Sequence, residues 1–80
     1  MKIEVYGVPC AQCETAMELA RRVVALMKAD ATVEHVTDMA RIIEAGVMMT
    51  PGIFINGQEK SVGRVPSPDE LRKWIEEEMK

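Results

Sequence analysis

The hydrophobic period of this chain changes at Gly7-Val8-Pro9. Before that point Ile3 and Val5 alternate with Lys2, Glu4 and Tyr6, the two-residue period of a strand. After it Cys13, Met17, Ala20, Val24 and Met27 fall on one face of a helix running from about Cys10 to Lys28. Pro9 cannot lie inside that helix but suits the approach to one. A second strand pattern follows at Ala31-Thr32-Val33-Glu34-His35-Val36, so the first two strands should be parallel, with a right-handed crossover through the helix.

The remaining signals complete the layout. Thr37 or Asp38 can cap a second helix that turns Met39, Ile42 and Ile43 inward, and Gly46 is placed to end it. Thr50-Pro51-Gly52 precedes the apolar run Ile53-Phe54-Ile55. Asn56-Gly57 then marks a hairpin, because both residues tolerate positive φ, with Glu59 to Arg64 as the return strand. Ser67-Pro68-Asp69-Glu70 combines an N-cap serine, a proline at the first helical position and a glutamate at the third. Leu71, Trp74, Ile75 and Met79 form the apolar stripe of the last helix. The expected class is α/β in the order β-α-β-α-β-β-α, a mixed four-stranded sheet with helices on both faces.

At 80 residues one domain spanning 1–80 is expected, with a small core that 48% apolar residues can supply. The net charge of −3 is mixed along the chain and forms no basic stripe, so nucleic acid is not an expected partner. No apolar run approaches the roughly 18 residues of a membrane span, and the charged positions in Met1–Tyr6 are unlike a signal peptide. A cytoplasmic protein, monomeric by default, is expected.

The chain has two cysteines, in Cys10-Ala-Gln-Cys13. A loop this short does little to constrain an unfolded chain, so stapling is a poor explanation for the pair. Redox chemistry explains it better. Cys10, at the helix start, meets the free N–H groups and the dipole there, which favour the thiolate and make it the attacking sulfur. Cys13, on the apolar stripe, is expected to be partly buried and to resolve the mixed disulfide. No cofactor is called for. The alternative is a Cu(I) or Zn(II) carrier using the same two thiolates, which are soft ligands. Two ligands are too few for a closed zinc site, and His35 is placed on a solvated or packed face of the second strand. A third reading is an interaction domain whose cysteines merely pack. Of the seven methionines, Met17, Met27, Met39 and Met79 fall on helical stripes and read as core, while Met48 and Met49 are expected to pack beside the cysteines.

Together these residues resemble the thioredoxin/glutaredoxin superfamily. The resemblance rests on Cys10-Ala-Gln-Cys13 after the first strand, Thr50-Pro51 before Ile53-Phe54-Ile55-Asn56-Gly57, and Val62-Gly63-Arg64 before the last helix. It extends to Gly63-Arg64-Val65-Pro66-Ser67 and covers nearly the whole chain, which is similar to the small redox-active disulfide proteins of the thioredoxin_3 type. The resemblance implies a minimal thioredoxin-like fold, thiol–disulfide exchange, and a cis Thr50–Pro51 bond lying against the cysteine pair. It further implies that the Thr50 backbone pairs with an extended substrate segment. Without the resemblance, Thr50-Pro51-Gly52 reads equally as a plain turn entering a strand.

The partners so implied are disulfide-bearing proteins and a reductase, with Pro9 and Met49 grouped with Thr50 and Pro51 at the substrate site. The chain departs from the pattern in several places. Ala-Gln stands between the cysteines, so no known reduction potential carries over. The glycine pair that glutaredoxins place near glutathione is reduced to Gly63 followed by Arg64, which leaves glutathione a doubtful partner. Glu4 falls about where thioredoxin carries a buried acid that relays a proton; the competing reading is a solvated strand residue.

Overall fold

The computed structural model describes residues 1–8 and 11–79. Seven elements follow in the expected order: β1 (Lys2–Tyr6), α1 (Ala11–Met27), β2 (Thr32–Val36), α2 (Met39–Glu44), β3 (Gly52–Ile55), β4 (Gln58–Val62) and α3 (Pro68–Met79). They build one sheet in the order β2-β1-β3-β4. β1 pairs parallel to β2, with Val5 opposite His35, and antiparallel to β3, with Val5 opposite Ile53. The hairpin turns at Asn56 and Gly57, both at positive φ, as the Asn-Gly signal requires. Asn56 also joins the turn to the start of β1: its N–H donates to the Lys2 carbonyl and its Oδ1 accepts from the Lys2 N–H.

The sheet divides two apolar clusters. On one face Ile3, Val5, Ile53 and Ile55 meet Ala16, Met17, Ala20 and Val23 of α1 and Leu71 and Ile75 of α3. On the other, Tyr6, Val36 and Phe54 meet Ile42 of α2 and Val47 after it. The Tyr6 and Phe54 rings lie 4.8 Å apart and tilted. The helices are thus on both faces, as expected, and β1 is buried on both sides rather than alternating. The buried face of α1 is turned slightly from the predicted stripe: Ala16 and Val23 are buried, while Val24 and Met27 are half-buried.

Helix ends follow local chemistry. Asp38 caps α2, its carboxylate accepting from the Ala40 N–H at 3.0 Å. In α3 the Ser67 hydroxyl accepts from the Glu70 N–H and the Glu70 carboxylate accepts from the Ser67 N–H, the reciprocal capping box. Arg64 adds two parallel bonds to the same carboxylate, at 2.8 and 2.9 Å. Guanidinium and cap together hold the Glu70 carboxyl down at about 2.

Several expected core residues lie outside. α2 has only six residues, so one turn faces the sheet: Ile42 is buried, while Met39 and Ile43 are largely exposed, Ile43 at 70%. Met79, the last residue of α3, is also exposed. The return strand stops at Val62 rather than Arg64, because Gly63 turns to a φ of +86°.

Candidate active site

The topology brings four chain ends to one edge of the sheet. β1 and β2 finish there, β3 begins there and β4 finishes there, and α1 starts above them. Sites in open α/β sheets gather at such carboxyl ends.

Cys13 lies in the first turn of α1 and is fully buried. Its Sγ rests against Gly7, the residue after β1: a Cβ on Gly7 would stand 2.5 Å from that sulfur and 3.0 Å from the Thr50 Cβ. Only a glycine leaves room for both. Gly7, Cys13 and Thr50 therefore converge on one point, and the Thr50–Pro51 peptide there is cis. Pro51 is buried, and its carbonyl accepts from the Gly63 N–H at 3.0 Å, which links the β3 entrance to the end of β4. Met49 lies over Gly63, where a Cβ would come within 3.2 Å of the Met49 Cβ.

Of the residues singled out from sequence, Cys13, Thr50, Pro51 and Met49 occupy this edge. Pro9 and Cys10 lie outside the described residues. Met48 and Met49 are not packed away: Met48 is 90% exposed and Met49 64%, and with half-exposed Val8 they give this end an apolar surface. Both lie in the loop between α2 and β3. A groove lined by Leu26, Met27, Pro68 and Arg72 lies at the other end of α1, about 20 Å along its axis from Cys13.

Glu4 is not solvated, for it is only 8% exposed. It lies on the α2 face of the sheet, as do Tyr6 and Phe54, whereas α1 packs on the Ile3 and Val5 face. Arg41 of α2 bridges Glu4 and Glu34, at 3.1 Å to each, and Lys2 reaches Glu34 at 3.3 Å and Glu4 at 3.7 Å. Hydrogen bonds from Arg41, then from Lys2, hold the Glu34 carboxyl below its usual range. Burial, with the Glu4 charge next, pushes the Tyr6 phenol up.

Sequence reasoning took Gly7 only as a strand breaker, and missed both its contact with the sulfur and the bond from His35. The His35 Nε2 stands 2.9 Å from the Gly7 carbonyl oxygen. Among the described residues no group of three or more His, Cys, Asp or Glu side chains could hold a metal ion, and no helix is long and apolar enough to cross a membrane.

Comparison with known proteins agrees with this layout. A family model described as a thioredoxin domain matches residues 1–76. A thioredoxin of Methanothermobacter thermautotrophicus is 40% identical over 75 residues, covering 94% of this chain and 97% of its own. A thioredoxin of Methanocaldococcus jannaschii is 32% identical over 73 residues, covering 91% of this chain and 84% of its own. With a mixed four-stranded sheet, the β-α-β-α-β-β-α order and these matches along almost its whole length, the chain belongs to the thioredoxin family.

Proposed function

We propose that this protein is a thiol–disulfide oxidoreductase that reduces disulfides in protein partners in the cytoplasm, with Cys10 as nucleophile and Cys13 as resolving cysteine. The observation that carries the reading is the convergence of Cys13 Sγ, Gly7 and Thr50 at the start of α1, in a chain whose relatives are named thioredoxins. A buried second sulfur beside an open, apolar-rimmed turn suits a resolving role.

The chemistry balances without a cofactor. Cys10 thiolate attacks one sulfur of the substrate disulfide; a new S–S bond forms, the old one breaks, and the departing thiolate takes a proton. Cys13 gives up its proton and attacks Cys10 Sγ, releasing the second substrate thiol. Two electrons pass to the substrate and the Cys10–Cys13 pair is left as a disulfide, which a reductase must reduce. Thr50 supplies backbone for an extended substrate segment, and Met49, with Met48 and Val8, offers its side chains an apolar rim.

The test is a redox titration of the pair in dithiothreitol buffers, counting free thiols by alkylation. A reversible two-electron step, at or below the range of roughly −200 to −300 mV, is expected. Cys13→Ser should then accumulate a mixed disulfide through Cys10. If no intramolecular disulfide forms, the reading fails, and thiol-dependent Cu(I) or Zn(II) binding becomes the next measurement.

A further inference from the structure

Gly7 continues the β1–β2 ladder by one bond, its N–H donating to the Val36 carbonyl at 3.0 Å. Regular parallel pairing would next bring the Asp38 N–H to the Gly7 carbonyl. There the chain has already turned away, because Asp38 caps α2. The buried Gly7 carbonyl is met instead by the side chain of His35, whose Nε2 lies 2.9 Å away. A carbonyl oxygen only accepts, so Nε2 carries the hydrogen. His35 is opposite Val5 in register and so projects from the same face of the sheet, the face covered by α1. Both backbone groups of Gly7 are thus fixed from β2, at a residue that lies against both Cys13 Sγ and Thr50.

We propose that His35 is a positioning residue for the thiol pair: its Nε2–H holds the Gly7 carbonyl, sets the strand end against which Cys13 Sγ rests, and thereby adjusts the balance between dithiol and disulfide. The proposal rests on the redox reading above. The two sulfurs must close to bonding distance when the pair is oxidised, and a strand end packed directly against Cys13 Sγ bears on where that sulfur can sit. A histidine that served only to satisfy a carbonyl would support stability alone.

The experiment compares wild type, His35→Leu, which removes the donor, and His35→Gln, which keeps a neutral side-chain N–H. Each is titrated for the reduction potential of the pair and assayed for reduction of an aromatic disulfide reagent. His35→Leu should lower kcat/KM about tenfold, the scale set by misplacing reacting groups. It should also shift the dithiol–disulfide equilibrium about tenfold, which is about 30 mV for a two-electron couple. His35→Gln should restore both to within about threefold of wild type. In wild type, the His35 Nε2 and Gly7 carbonyl NMR shifts should differ between the oxidised and reduced forms, a measurement that needs no variant to fold. A wild-type two-electron step with an unchanged potential and rate in His35→Leu, or with identical NMR shifts in the two forms, overturns the role of His35 alone. A wild type with no such step overturns the redox reading and this inference with it.

Discussion

The two faces of the sheet are built by different means. The α1/α3 face is mainly apolar: residues from two long helices interlock with Ile3, Val5, Ile53 and Ile55, and its polar groups, such as His35 and the Lys60–Glu78 pair, are few. The α2 face has one short helix with a single buried residue, and beside its small cluster lies the Lys2–Glu4–Glu34–Arg41 network. Apolar burial is non-directional and scales with area, so the first face needs length. A short helix has little area to offer, and a guanidinium that bridges two carboxylates fixes its position with directional bonds instead.

Substitution on each face can break that contrast. The largest effect is expected for Leu71→Ala on the α1/α3 face, about 2–5 kcal/mol by chemical denaturation, since a fully buried leucine leaves a cavity among close-packed neighbours. Ile42→Ala should fall at or below the low end of that range, because its cluster is smaller; equal losses would remove the contrast. Gly7→Ala comes next, at about 1–3 kcal/mol, the cost of forcing a methyl against Cys13 Sγ and Thr50.

Arg41→Ala should destabilise less than either cavity variant, because the arginine is half-exposed, yet measurably, because Glu4 is left buried with only the more distant Lys2. The loss should shrink in Glu4→Gln/Arg41→Ala, and a simple sum of the single effects would show that the pair is not coupled. The smallest effect is expected for Glu70→Gln, and it depends on pH. The carboxyl sits near 2 in the folded chain against an ordinary 4.5, so its contribution is present above about 4.5 and is lost as pH falls towards 2. Thermal melts of wild type and variant should therefore converge over that interval.

Much of this fold is legible in the sequence, because its punctuation is local. Asn56-Gly57, the Ser67–Glu70 capping box and Gly46 each act within a few residues, and each forms as read. What was misread depends on distant partners. Glu4 looks like a solvated strand residue until α2 brings Arg41 across it; Met39 and Ile43 look like core until α2 proves too short to turn them inward. The same holds at the site. Cys13 can be placed on the buried stripe from spacing alone, and Thr50-Pro51 stands out as a motif. The value of Gly7 comes from a sulfur six residues on and a threonine on another strand's approach, and that of His35 from a carbonyl 28 residues back. No periodicity carries such information.

The irregular pairing of β3 with β4 has a consequence for how this molecule meets its own kind. Between Ile53 and Phe54 the register skips Lys60, whose ammonium reaches Glu78 of α3 instead. The outer margin of the sheet is therefore kinked along β4, and its lysine is drawn onto α3. A strand from a second molecule would find no straight row of backbone donors along β4. On the proposed reading, in which extended segments are received at Thr50, that turn can stay open while the kinked β4 margin discourages indiscriminate pairing.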